Sequence, residues 1–259
     1  MSRSIPIGIC VNPDAVSKLP PGFDFCEIAA AATLAGHDPS PDAVDLEGLS
    51  ELEPAVRAFN CFLPGDLRVV GPDVQRDRVE AYVGTTIARA AEVGADLMVF
   101  GSGRSRSVPD GFARSAAWGQ LVWFLERCAD HAREHGLTIA IEPLNANECN
   151  ILNTYTESVA LAREVSRPFI KVLADTWHFA VEDEPLDDIL EAPEWLAHVH
   201  VADSPDRGHP GSGSYPFDRL FAILREISYD GRVSIECGWP GDLTRDAAES
   251  LAFLERLTQ

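Results

Sequence analysis

The stretch TIAIEPLN, residues 138–145, alternates apolar branched side chains with small or acidic ones. In an extended strand successive side chains point to opposite faces, so Ala140 and Glu142 share one face while Ile139 and Ile141 share the other. The proline that follows Glu142 favours extended geometry in the preceding residue and ends strand pairing. The stretch therefore predicts a strand that presents a carboxylate at its C-terminal end.

Three later stretches repeat this alternation and place polar side chains at the ends of apolar runs. The side chains are Asp175, His200 and Glu236. If all four stretches are strands of one closed parallel sheet, the period of two sends these side chains and Glu142 into the same interior. The later stretches are IKVLADTWH (170–178), LAHVHVAD (196–203) and RVSIECGW (232–239).

A group of three carboxylates and one imidazole predicts a metal site. Carboxylates gathered in a low-dielectric interior repel one another unless a cation lies among them. This donor set suits one divalent ion, Mn²⁺, Mg²⁺, Co²⁺ or Zn²⁺, and leaves positions for a substrate with adjacent carbonyl and hydroxyl oxygens. A single carboxylate at a strand end is more often solvated or salt-bridged, but four polar side chains at four strand ends favour the metal.

The rest of the chain indicates eight strands, each followed by a helix or crossover. We therefore predict one (β/α)₈ TIM barrel, an α/β fold, as a single domain over residues 1–259, with its reacting groups at the C-terminal ends of the strands. Strands are predicted at 5–11, 23–29, 56–63, 97–103, around 138–142, and at 170–175, 196–201 and 232–236; helices are predicted at 73–93 (capped by Asp73), 112–135, 157–165, 186–190, 217–227 and 244–257.

The composition of the chain limits the classes of partner and the cellular compartment that we expect for it. The formal net charge of −20 argues against nucleic acid or an anionic membrane, because both polyanions would be repelled at long range. The six cysteines show no metal-binding or redox spacing and indicate reduced thiols. No stretch is typical of a signal peptide or a membrane span, so we expect a cytoplasmic protein. A homo-oligomer is left open.

The motifs IEPLN, DTWH, HVHVAD and SIECGW, in this order and spacing, resemble the xylose-isomerase-like TIM barrel superfamily of metal-dependent sugar isomerases and epimerases. The similarity is greatest to the ketose 3-epimerase and hydroxypyruvate-isomerase-like branch. It implies that Glu142, Asp175, His200 and Glu236 bind the metal. It also implies that Glu142 and Glu236 move a proton through a cis-enediolate of a small carbohydrate or hydroxy-ketone.

The resemblance also implies roles for residues around the metal. His178 would hold substrate oxygens, Glu148 would support Glu142 through hydrogen bonds, and Arg207 would stabilise the enediolate oxygen. Trp177 and Trp239 adjoin these residues and offer faces on which a sugar can stack, although aromatic side chains more often fill a core.

For other polar residues near the predicted site, the sequence allows more than one role. Arg104 and Arg106, in the glycine-containing loop after the fourth strand, predict either an anion cradle or a solvated loop. Glu27 is a candidate for a further polar wall. His198 shares the interior face of His200 but lies one layer deeper, which favours a packed or supporting histidine.

Three other functions compete with isomerisation. An inosose-dehydratase-like lyase would use the same enolate and expel a hydroxyl group. An endonuclease-IV-like barrel needs several metals, more histidines and a basic DNA face, which the net charge of −20 disfavours. A non-catalytic sugar-binding barrel would have lost ligands, whereas all four are present here.

Overall fold

The computed structural model describes residues 5–239 and 241–258, with Pro41 described by its backbone only. Eight parallel strands form a closed barrel in sequence order. The barrel closes where β1 pairs with β8, with Ile7 opposite Val233. The strands are β1 Ile7–Cys10, β2 Phe25–Ala29, β3 Val56–Asn60, β4 Leu97–Phe100, β5 Thr138–Ile141, β6 Ile170–Asp175, β7 Leu196–Val201 and β8 Arg232–Ile235.

Helices connect and surround the strands. The longest of them, Arg114–His135, is capped at its C-terminal end by Gly136, which adopts the left-handed conformation (φ 67°) that glycine accepts without strain. The helices are α1 Ala30–Thr33, α2 Leu46–Ser50, α3 Arg76–Val93, α4 Gly103–Arg106, α5 Arg114–His135, α6 Tyr155–Val165, α7 Thr176–Val181, α8 Phe217–Glu226 and α9 Leu243–Leu257, with 3-10 helices over Pro13–Lys18, Pro41–Ala43, Leu186–Glu191 and Pro193–Trp195.

The strands are buried on both faces, as expected for a parallel sheet covered by helices. A small inner cluster fills the barrel below the polar residues. The outward-facing strand residues pack against the helices in the larger core. The inner cluster consists of Phe25, Ala58, Leu97, Val99, Ala140 and Leu173.

The barrel prediction is confirmed, and the differences concern element ends, helix caps and short helices. β3 ends at Asn60, three residues earlier than expected. The predicted cap at Asp73 is wrong: the N-cap position of α3 is Gln75, without a side-chain cap hydrogen bond. The helix expected over 186–190 is a 3-10 helix. Helix α7, which begins immediately after β6, was not predicted.

Among residues 5–239 and 241–258, none of the helices combines the length and apolarity that a bilayer crossing requires.

Candidate functional site

The structure brings the four predicted metal ligands together at the C-terminal end of the barrel. Glu142 follows β5, Asp175 ends β6, His200 lies in β7 and Glu236 follows β8. One donor atom from each lies within 4.8 Å of the others. The closed parallel sheet explains this convergence, because strand ends that are distant in sequence meet at one mouth.

Three atoms of this cluster are buried and have no hydrogen-bond partner among the residues that the structure describes. They are Oε1 of Glu142, Oδ2 of Asp175 and Nδ1 of His200. Nδ1 of His200 lies 3.3 Å from Oε1 of Glu142 and 3.5 Å from Oε2 of Glu236. A buried polar atom without a partner costs about 1–3 kcal/mol. Three such atoms directed into one small space fit a bound cation, for which oxygen and imidazole nitrogen are suitable ligands.

The pKa values in the cluster also indicate that a cation would be stabilised there. Burial, with a smaller contribution from the carboxylates of Glu236 and Glu142, raises the pKa of Asp175 to about 6 against the opposing effects of His178 and Arg207. Burial also opposes charge on His200, but its contacts with Glu27 and Glu236 outweigh burial and raise its pKa well above the ordinary value. The raised pKa values of Asp175 and His200 both reflect an excess of negative charge that a bound cation would neutralise.

Glu27 forms the floor beneath the cluster. It is fully buried, and its carboxylate lies 2.9 Å from Nε2 of both His198 and His200. The hydroxyl of Ser234 donates to the same carboxylate at 2.7 Å. Burial raises the pKa of Glu27, but the two histidines outweigh it and hold the pKa well below the ordinary value. Glu27 thus orients His200 with Nδ1 toward Glu142, and His198 is a supporting histidine as predicted.

Both oxygens of Glu236 have partners. Oε1 accepts a hydrogen bond from the amide of Asn60 at 3.1 Å, and Oε2 accepts one from Arg207 at 2.5 Å. Arg207 also lies 3.6 Å from Oδ2 of Asp175. Asn60, the last residue of β3, was missed by sequence reasoning, because the strand was expected to continue to residue 63 and no local pattern placed Asn60 beside Glu236.

His178 lies beside the cluster, in the first turn of α7. Its Nδ1 accepts a hydrogen bond from the backbone N–H of Asn145 at 3.1 Å. Nε2 therefore carries the hydrogen in the neutral ring and lies 3.7 Å from Oδ2 of Asp175. This tautomer makes His178 a hydrogen-bond donor toward the site. Asn145 was not assigned a role from the sequence.

Contrary to the prediction, Glu148 does not form a hydrogen bond with Glu142. Its carboxylate accepts a hydrogen bond from the side-chain amide of Asn145 at 2.8 Å and lies 3.9 Å from Arg207. It therefore supports His178 through Asn145 instead. The reason is geometric: the turn over residues 145–149 directs Glu148 toward the cavity mouth, where its side chain is 43% exposed.

A cavity of about 320 Å³ opens above the four clustered side chains. Glu142 and Glu236 lie at its base, and His178, Glu148 and Arg207 line its wall. A cavity of about 640 Å³ lies around Asp24, Arg57 and Asp96 at the opposite end of the barrel, away from the strand ends that carry the cluster.

The two tryptophans lie beside the site but do not line this cavity within the described part of the chain. The backbone N–H of Trp177 donates to Oδ1 of Asp175 at 2.7 Å, and so fixes that carboxylate. Trp239 is half-buried, packs against the large core, and has a buried indole N–H with no partner in the regions 5–239 and 241–258.

Arg104 and Arg106, the two arginines of the loop after β4, differ in burial. Arg106 is fully buried and donates to the carbonyl oxygens of Phe100 (2.9 Å) and Glu142 (2.7 Å). Neither interpretation offered for Arg106, an anion cradle or a solvated loop, is correct, because its guanidinium is buried and stabilises the ends of β4 and β5. Arg104 is exposed and lines the cavity.

A closed barrel of eight parallel strands, with carboxylates and a histidine converging at the strand ends, defines the class as a TIM barrel with a polar site at its C-terminal mouth. The chain belongs to the xylose isomerase-like TIM barrel family, whose model matches residues 14–257.

Individual relatives agree with this assignment. The ketose 3-epimerase of Arthrobacter globiformis is 38% identical over 111 residues, which are 42% of this chain and 38% of that protein. The match therefore spans about two fifths of that relative's length. The D-psicose 3-epimerase of Ruminiclostridium cellulolyticum is 25% identical over 86% of this chain and 76% of its own. The crystal structure of a D-allulose 3-epimerase from Methylomonas sp. superposes with a TM-score of 0.83 at 23% identity, covering 99% of both chains, and shows the shared fold.

Proposed function

We propose that this protein is a divalent-metal-dependent isomerase or epimerase of a small sugar, sugar derivative or hydroxy-ketone. The observation that carries the proposal is the convergence of Glu142, Asp175, His200 and Glu236, with three buried donor atoms that lack a partner. The names of the relatives, ketose 3-epimerase and D-psicose 3-epimerase, make ketoses the first substrates to test.

The four clustered side chains would hold the metal. When bound, a divalent ion there would polarise a substrate carbonyl and so acidify the neighbouring C–H bond. Although burial raises the pKa of Glu236, His200 and Arg207 outweigh burial and lower that pKa to about 2. Glu236 is therefore ionised at neutral pH and suited to accept a proton.

Glu142 is the second carboxylate of the proposed pair. Its Oε1 accepts no well-formed hydrogen bond in the described part of the chain and lies 3.3 Å from Nδ1 of His200, so this carboxylate borders the space in which a substrate would exchange a proton. Glu142 and Glu236 approach from β5 and β8, and a substrate in the cavity would touch both. One carboxylate would remove the proton from carbon and the other would return it, through an enediolate.

His178 and Arg207 would hold the oxygens of this intermediate. The Nε2–H of His178 is a donor, fixed by the bond from Asn145 to Nδ1. Arg207 is anchored to Glu236 and borders the cavity. Donors held in place in this way stabilise developing negative charge without reorganising.

The test is incorporation of solvent deuterium into carbon, with a panel of ketoses, their phosphates and short hydroxy-ketones and each of Mn²⁺, Mg²⁺, Co²⁺ and Zn²⁺. We expect exchange by the wild type and by the control Glu134→Gln, whose carboxylate is exposed near the end of α5. Glu142→Gln and Glu236→Gln should lose exchange by at least about a hundredfold. Full turnover by both variants would contradict the two-carboxylate mechanism, and a product lighter by one water would indicate a lyase.

A further inference from the structure

Arg104 lies in α4 and lines the wall of the cavity above Glu142 and Glu236. Its position is constrained on two sides. Its backbone carbonyl accepts a hydrogen bond from Nη1 of Arg68 at 2.9 Å. Its side chain crosses Gly65, where an added Cβ would lie 3.3 Å from both Cδ and Nε of Arg104. The main chain is thus anchored, and the glycine makes room for the side chain at the cavity.

The guanidinium of Arg104 has no partner of its own. In the regions 5–239 and 241–258, Arg104 and Arg133 are the arginines whose guanidinium groups form no ion pair, hydrogen bond or ring contact. Arg133 is exposed near the C-terminal end of α5 and does not line this cavity. Arg104 therefore differs from Arg133 in location, because its unpaired guanidinium faces the proposed site.

The acidic groups of the cavity are already matched with other cations. Glu236 and Glu148 lie beside Arg207, at 2.5 Å and 3.9 Å. Glu142 lies at the base with His200. Arg104 is thus available to a ligand that enters the cavity. A guanidinium prefers planar or tetrahedral oxyanions, which it binds through two parallel hydrogen bonds.

We propose that Arg104 binds an anionic group on the substrate, a carboxylate or a phosphate, at the end remote from the carbon that loses its proton. The proposal rests on the function proposed above and specifies its substrate class: a short hydroxy-ketone with a terminal anion. The cavity of about 320 Å³ is at the small end of ligand pockets, which suits such a molecule.

Three three-carbon probes test this inference, because they share a hydroxy-ketone and differ in charge. They are neutral dihydroxyacetone, hydroxypyruvate with a carboxylate, and dihydroxyacetone phosphate. Deuterium exchange with each, in the Mn²⁺-loaded protein, gives KM and kcat. We expect Arg104→Gln to raise KM for an anionic probe by about 10- to 100-fold and to leave KM for dihydroxyacetone unchanged. The matched control Arg133→Gln should behave as the wild type.

Calorimetric binding of the same probes, and of inorganic phosphate, separates this inference from the proposed function. A metal ion attracts anions by itself, so the decisive quantity is the ratio of affinities between Arg104→Gln and wild type. A loss of affinity confined to anionic probes supports the role of Arg104 even if no probe exchanges deuterium, and the probe that loses more identifies carboxylate or phosphate. Exchange with unchanged anion affinity and KM in Arg104→Gln would overturn the inference and leave the isomerase proposal standing.

Discussion

The carboxylate of Glu27 lies 2.9 Å from Nε2 of His200, and this contact leaves Nδ1 of the same ring directed at the cluster of Glu142 and Glu236. Glu27 is 171 residues or more from His198 and His200 in sequence, yet all three side chains are fully buried in one barrel interior. The contact therefore determines which nitrogen of His200 is offered to a metal.

Replacing Glu27 with glutamine should weaken metal binding. A glutamine can donate as well as accept, so it no longer requires a hydrogen on Nε2 of His200. We expect Glu27→Gln to lower Mn²⁺ affinity by about 10- to 100-fold, as is usual for groups that orient a metal-ligating histidine. Competition with a fluorescent chelator measures the affinity. Equal affinity in a folded variant would show that Glu27 does not position His200.

Metal binding should release protons below neutral pH. The pKa of Asp175 is raised to about 6, chiefly by burial, and that of His200 is raised by Glu27 and Glu236. Groups with raised pKa hold protons that an incoming cation must displace, so metal affinity should increase as pH rises from about 5 to 7. Calorimetry of Mn²⁺ binding at pH 5.5, in two buffers of different ionisation enthalpy, should show release of at least one proton. Zero release would contradict a site made of these groups.

The strands and the four clustered side chains were accessible from sequence for one reason. A period of two assigns each strand residue to a face, and the closed parallel sheet then sends Glu142, Asp175, His200 and Glu236 to one mouth. No step of that reasoning requires knowing a loop conformation.

The surroundings of the cluster were less accessible, because their contacts depend on the path of loops and on pairs distant in sequence. Asn60 meets Glu236 across 176 residues, which no local pattern indicates. Arg104 and Arg106 are two residues apart, yet the short helix α4 buries one and exposes the other. Glu148 contacts Asn145 because of a turn that the sequence did not reveal.

Gly101 should be essential for the position of Glu142. A Cβ built on Gly101 would lie 2.1 Å from Oε2 of Glu142, so Gly101→Ala must displace that carboxylate. We expect at least a tenfold loss of metal affinity and a greater loss of deuterium exchange, because both depend on Glu142. The matched control is Gly119→Ala in α5, where an added Cβ meets nothing within 4 Å. That variant should keep activity and gain up to about 1 kcal/mol of stability. Unchanged exchange in Gly101→Ala would show that Glu142 tolerates the displacement.

Glu184 should make stability depend on pH near neutrality. Its carboxylate accepts a hydrogen bond from the backbone N–H of Tyr155, at the start of α6, at 2.7 Å. Burial, chiefly, and the charges of Asp188 and Glu182 raise its pKa from 4.5 to about 7, against the opposing effect of the bond from Tyr155. The folded state therefore binds a proton at Glu184 more tightly than the unfolded state does. The stabilisation of the folded state that comes from this proton is complete below pH 4.5 and is lost as pH rises through about 7.

Glu184→Gln isolates this effect, because glutamine still accepts the bond from Tyr155 and does not ionise. We expect the variant to gain stability relative to wild type between pH 5 and pH 8. The gain should be about 1 kcal/mol, since the side chain is only partly buried and solvent screens its charge. Urea denaturation of both proteins at each pH measures the difference, and pH effects from all other groups cancel in the comparison. A difference that is the same at pH 5 and pH 8 would mean that Glu184 does not titrate in this range, and that the carboxylate is better solvated than its burial beside α6 implies.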